Sequence, residues 1–270
     1  MKCNQCGAKI KAKILICNKC GDTPENWGTW DIIDLAVPYF LKLYKNNFSK
    51  YDKMFKRSDN KHYMLTHITN IPLWTALNLL MFKENFQKNN SKLSMFVKDK
   101  TIMDDKSLPR FIYNQDLYHR SSCLAIFLFQ TEVFLKSVSQ VLKNPFEGKG
   151  YSNLVKHVLK ELNLNDIKSE NYNALYIPAT IRNSLHEAGM YTDNDYNGKV
   201  GKILFKFKRG YPTEYVTWIH ICFFIEYYFE VIDKILSVPR IKRAILSIPF
   251  EGFEMDWETE VRKIKPRKHN

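Results

Sequence analysis

Ile181-Arg182-Asn183-Ser184-Leu185-His186-Glu187 closes one apolar helical pattern and is followed, after a short break, by another. The pattern it closes runs from Asn173 to Ala188, and Gly189 stands where a helix end would reverse the chain. Upstream, Leu117, Leu124, Phe127, Leu128, Thr131, Phe134, Leu135, Val138, Val141 and Leu142 keep one stripe at helical spacing, so a long helix is expected over 117–143. Asn144-Pro145 stops it. Tyr151–Leu162 reads as a shorter amphipathic helix. Downstream the period changes: Ile203 to Lys208 alternates like a strand, and Arg209-Gly210 offers a turn toward a return strand near Tyr215. A last long helix is expected from Glu214 to Leu236. It is apolar nearly all round, which suits either a helix at the centre of the core or one at a subunit interface. The fold class is mainly α, with a short β-hairpin.

Arg182 and His186 lie four apart, one turn apart on one helix face. An imidazole can move a proton near neutral pH, and a guanidinium can hold a phosphate through paired donors. Breaking an RNA strand needs a base for the 2′-hydroxyl, charge on the phosphorane and a proton for the leaving oxygen. His186 suits the proton transfers, Arg182 the phosphate, and Asn183 could orient the ribose. The plainer alternative pairs Arg182 with Glu187 on the surface.

Outward from this stretch, the amino terminus carries Cys3-x-x-Cys6 and Cys17-x-x-Cys20, each pair followed by glycine. Such a spacing suits one tetrahedral Zn²⁺ held by four thiolates, closed to water and therefore structural. So short a segment has too little apolar area to fold without metal. Disulfide pairing is the alternative, disfavoured in a reducing compartment. Lys2, Lys9, Lys11, Lys13 and Lys19 around the cysteines suit contact with RNA or a protein.

Composition bounds the rest. An apolar share of 45% with 26% charged residues belongs to a folded chain, and a net charge of +13 favours a polyanionic partner. The charge alone is weak support, since richness in Lys, Asn and Ile also follows from an AT-biased genome. Lys2, Cys3, Asn4 and Gln5 leave no apolar core for a secretory signal, and the run Trp218–Ile235 is interrupted by His220, Glu226, Glu230 and Asp233, so a cytoplasmic chain without membrane spans is expected. Four segments follow: a zinc ribbon and linker over 1–28, an N-terminal helical region over 29–106 with Pro38 kinking its first helix, the main helical domain over 107–240, and a basic tail over 241–270. Cys123 and Cys222, within apolar helices, read as buried thiols. His119, His157 and His220 read as structural or surface residues.

The region from about Leu108 to Arg240 resembles the HEPN superfamily of helical ribonucleases. The resemblance rests on a long first helix bearing Glu132 and Lys136, a later helix with Arg182-Asn183-x-x-His186 before Gly189, and a strand excursion followed by a closing helix over Lys202–Leu236. It implies a metal-independent endoribonuclease leaving 2′,3′-cyclic phosphate ends. It also implies a homodimer whose two copies bring Arg182 and His186 into one cleft, with Asn183 and Glu132 as supporting residues. Toxins and antiviral effectors are common in that superfamily, which makes RNA the substrate and an antitoxin or defence protein a further partner. The interval between Arg182 and His186 is shorter than the usual one, with only Asn183, Ser184 and Leu185 between them. Some members have lost catalysis and serve as RNA-binding or dimerising scaffolds, the rival reading. Glu132 and Lys136 also fit a plain helix salt bridge.

Overall fold

Ile33, Val37, Phe40, Leu43, Asn47 and Tyr51 are buried at steps of three and four residues, so one buried stripe runs the length of this segment. The computed structural model accordingly forms one helix, α1 (Thr29–Met54), with Pro38 inside it. The residues it describes are 3, 6–9, 16, 17, 19, 21, 29–87, 95–96, 99–100, 106–164, 170–187, 189–213 and 217–247.

Helix α2 (Asn60–Phe86) follows after a short turn. Asp59 caps it by accepting from Lys61 N at 2.8 Å. Its first turns are buried through Met64, Leu65 and Ile68 despite the polar Asn60-Lys61-His62 start, and the Lys61 ammonium reaches Ala244 O. Helix α3 (Leu108–Gln140) opens with Pro109 in its first turn. Helices α4 (Tyr151–Glu161) and α5 (Glu170–His186) follow, then β1 (Tyr196–Val200) and β2 (Ile203–Phe207). Helix α6 (Trp218–Ser237) begins at Thr217, whose hydroxyl accepts from His220 N at 3.4 Å. Pro239 ends the pattern as expected, then serves as the first residue of a short helix α7 (Pro239–Arg243).

The hairpin is present, but its partner strand lies before Ile203, not after it. The strands pair antiparallel from Tyr196↔Phe207 to Val200↔Ile203 around Gly201-Lys202, with Gly201 at φ +56°. Tyr-Asn-Gly-Lys-Val has no apolar alternation to mark it as a strand. At Gly198 a Cβ would fall 2.8 Å from the Ile177 Cδ1 of α5 and 2.9 Å from the Tyr196 ring, so β1 lies close on that helix where the chain has no side chain. Arg209-Gly210 does turn, with Tyr211 N donating to Lys208 O at 3.1 Å, and leads to a single bridge between Met190 and Pro212. A return strand at Tyr215 lies outside the described residues.

One core runs through all of this. Helix α6 lies at its centre, with Trp218, Ile221, Phe224, Ile225, Tyr228 and Ile232 buried, so its all-round apolarity is met within the chain. Helix α1 packs on α6, Phe40 meeting the Trp218 ring edge-on at 5.9 Å, so the regions set apart at residue 106 share one core. Ile16 joins it too, and on the far side Ile241 and Leu246 are fully buried, so the first residues of the 241–270 tail close the fold. Among the described residues one helix, Leu108–Gln140, is long and apolar enough to cross a membrane, and 56% of its most apolar window is buried against the other helices.

Candidate active site and metal centre

Helix α5 carries the Arg182 stretch, and its packing decides which side chains emerge. Ile181 is fully buried, Ser184 is buried with its hydroxyl on Thr180 O at 3.0 Å, and Asn183 is exposed. Arg182 stands between these, half-buried on the boundary. His186 is the last helical residue, one turn on; its side chain lies outside the described residues. Beyond it the chain turns back at Gly189 (φ +85°), whose N–H donates to Ser184 O at 2.9 Å. Gly189 O in turn accepts from Thr213 N at 2.9 Å, tying the helix end to the chain after the hairpin.

The inner side of Arg182 is unusual. Its Nε is shielded from water and has no hydrogen-bond partner. The same holds for Thr131 Oγ1 on α3, Tyr151 OH on α4 and Tyr228 OH on α6. Four of the five such side-chain atoms among the described residues therefore lie on the helices that meet around α5, the fifth being on Thr213. Tyr151 is close enough to feel both the Arg182 and the Glu132 charge, and its hydroxyl lies against that of Tyr228 without the geometry of a hydrogen bond. Burial pushes the Tyr151 phenol up; the neighbouring Tyr228 hydroxyl opposes this, the Glu132 carboxylate adds to it, and Arg182 opposes it. Both hydroxyls stay protonated. Buried polar atoms in folded proteins are nearly always paired, so unpaired ones on helices that meet around a half-exposed guanidinium set this region apart from the rest of the core.

Glu132 therefore comes to the same neighbourhood as Arg182, by way of Tyr151. It also holds Lys136 at 2.8 Å, the helix salt bridge that the sequence offered as the plainer reading. Tyr151, Tyr228 and Thr131 went unnoticed in the sequence: Tyr151 and Tyr228 are brought together across 77 positions, and no local motif marks either.

A second buried polar network sits at the start of α6. Asp116 Oδ1 accepts from Trp218 Nε1 at 2.7 Å, and its Oδ2 holds Arg120 at 2.8 Å. Two residues after Trp218, His220 is fully buried and bonded on both ring nitrogens. Nδ1 lies 2.7 Å from the Thr217 hydroxyl, and Nε2 meets Gly21 O, which can only accept, so Nε2 carries the proton. Burial holds the His220 pKa down at about 4, with Arg120 adding to the effect and the Gly21 bond opposing it. Every atom here has a partner, and His220 is a structural residue. Cys123 and Cys222 are buried thiols, as their helical settings require. Burial raises Cys123 to about 11, against the Thr75 hydroxyl 3.2 Å away.

Gly21 leads back to the cysteines. Cys3, Cys6 and Cys17 place their sulfurs within 4.8 Å of one another, and Cys6 and Cys17 are 3.6 Å apart. A disulfide would hold the sulfurs at about 2.05 Å, whereas a tetrahedron with metal–sulfur bonds of about 2.3 Å separates them by roughly 3.8 Å. The two turns match: Gly7 N donates to Cys3 O and Gly21 N to Cys17 O, both at 2.8 Å, with φ of +68° and +82° that favour glycine. The three thiols form a possible metal site, and Cys20 lies outside the described residues. Contrary to a module joined by linker alone, Ile16 packs into the helical core and Gly21 O is held by His220.

No protein-family model matches the chain, and neither a curated protein nor a solved structure does.

Proposed function

We propose that this protein is a HEPN-type endoribonuclease acting as a homodimer, with a zinc ribbon at its amino terminus. The observation that carries the reading is Arg182: half-exposed on α5, one turn before His186, with a buried unpaired Nε in a polar cluster shared with Glu132 and Tyr151. In the reaction a base takes the 2′-hydroxyl proton, O2′ attacks phosphorus, and the 5′-oxygen leaves with a proton from an acid, giving a 2′,3′-cyclic phosphate. Arg182 holds the non-bridging oxygens as charge builds on them. His186 supplies one proton transfer and the His186 of a second copy the other, with Asn183 placing the ribose. Trp74, Met81, Ile126 and Phe129, all more than half exposed on α2 and α3, give a second copy an apolar face to cover.

Cys3, Cys6 and Cys17, with Cys20 as the fourth, would hold one Zn²⁺ that shapes the ribbon and takes no part in the chemistry. Elemental analysis of protein purified under reducing conditions should find one zinc per chain, and none would remove the ribbon. The test of the enzyme is incubation with mixed RNA in EDTA beside a His186→Ala control. Cleavage by the parent and none by the variant is expected. The rival reading, a silent RNA-binding or dimerising scaffold, draws on the Glu132–Lys136 pair and the short interval between Arg182 and His186. It predicts RNA retention without cleavage in both. An antitoxin or another defence protein is the partner expected of such an enzyme.

A further inference from the structure

The C-terminal end of α1, the turn into α2 and the ends of α6 and α7 enclose a groove of about 790 Å³. Met54, Phe55, Leu236 and Ile245 make it apolar, and Lys56 and Lys242 stand at its edge. The acids that also line it are engaged elsewhere. Asp233 takes Lys50 at 2.6 Å and the Tyr51 hydroxyl at 2.9 Å, while Asp59 caps α2 and holds Lys61 at 3.4 Å. Lys56 and Lys242 have no ion-pair partner among the described residues. The groove thus joins apolar surface to uncompensated positive charge, the preference of a ligand with large apolar groups and carboxylates.

Ile245 is 89% exposed on this groove although Leu246 beside it is fully buried and fastened through Asn60 Nδ2 to Leu246 O at 2.8 Å. So the chain is anchored at the groove where it runs on to Ser247, and its next residues have the complementary chemistry. Phe250-Glu-Gly-Phe-Glu-Met-Asp-Trp-Glu-Thr-Glu260 interleaves two Phe, a Met and a Trp with five carboxylates and contains no base, in a chain of net charge +13. Phe250 follows Ile245 by five residues, a reach of roughly 17 Å when extended. A short tether sets an effective concentration in the mM range, so apolar and charge contacts too weak to hold a free peptide can hold this segment.

We propose that this groove is the docking site for the acidic, aromatic segment Phe250–Glu260 of the same chain. The proposal is independent of any ribonuclease activity. It is tested on the full-length protein by timed chymotrypsin digestion, following cuts at Phe250, Phe253 and Trp257 by mass spectrometry. Lys56→Glu with Lys242→Glu should speed those cuts about tenfold, and Ile245→Ser should speed them as well. Both lysines are exposed, so thermal unfolding should not move. Adding Glu254→Lys and Glu258→Lys to the double lysine variant should restore protection. Equal digestion rates in the parent and in these groove variants would overturn the proposal. So would protection that fades on dilution, which would assign the segment to a second copy.

Discussion

Helix α6 carries two buried polar clusters, and they differ in kind. At its start, Asp116, Arg120, Trp218, Thr217 and His220 satisfy one another and bind Gly21 of the cysteine segment. Near its middle, Tyr228 faces Tyr151, with Arg182 and Glu132 beyond, and several of the polar atoms there have no partner. A satisfied network rigidifies the core and fixes its geometry, while an unsatisfied one costs stability that only another benefit would retain. The first cluster builds the fold; the second is where chemistry is expected.

Removing a hub of the satisfied cluster should therefore hurt folding most. Asp116→Ala removes the buried carboxylate that pairs with Arg120 and accepts from Trp218 Nε1, and should cost about 3–5 kcal/mol in urea unfolding. A cost below about 1 kcal/mol would mean that the two clusters do not differ in the way described. The reverse pattern is expected at the other cluster. Arg182→Ala or His186→Ala should lower RNA cleavage about 10²–10⁴-fold, with a change in stability within about 1 kcal/mol. Large stability losses in both variants would make that cluster structural as well.

The pH dependence sharpens the comparison further. His220 folds with a pKa near 4, below the ordinary 6.5, so as pH falls the unfolded chain takes up its proton first. The stabilisation is full above about pH 6.5 and drains away toward pH 4. Between pH 7 and pH 5 the loss should be about 2 kcal/mol, since each pK unit is about 1.36 kcal/mol. Comparing the slope with that of His220→Gln isolates it from acid loss of metal at the cysteines, and an unchanged slope would show that His220 is not its source. The smallest effect should come from Tyr151→Phe. Deleting an unpaired buried hydroxyl while keeping its ring should leave stability level or raise it, by about 1 kcal/mol at most. A clear loss would show that the Tyr151 hydroxyl is paired in solution.

Much of this was legible beforehand, and the failures have physical causes. Helices α3 to α6 announce themselves by apolar stripes at helical period, and their ends by Pro145, Gly189 and Pro239. The first turns of α2 did not, because Asn60-Lys61-His62 reads as polar loop until Ala244 O is seen to receive the Lys61 ammonium. Strand β1 is hidden because Gly198, at its centre and packed close to Ile177, interrupts any run of strand-forming residues. That Arg182 and His186 share one helix follows from their four-residue interval, and α5 carries both. Tyr151 and Asp116 belong to contacts between residues 77 and 102 positions apart, Tyr151–Tyr228 and Asp116–Trp218, which no local pattern encodes. The independence expected of the cysteine segment failed for the same reason, since one isoleucine and one carbonyl, Ile16 and Gly21 O, attach it to the core.

The central claim, that Arg182 and His186 drive attack of the 2′-hydroxyl on its own phosphate, is tested most directly by the chemistry left on the cut RNA. Fragments made by the parent protein and analysed by mass spectrometry should end in 2′,3′-cyclic phosphate opposite a 5′-hydroxyl. Fragments ending in a 3′-hydroxyl opposite a 5′-phosphate would mean that water attacked instead, and would contradict the account.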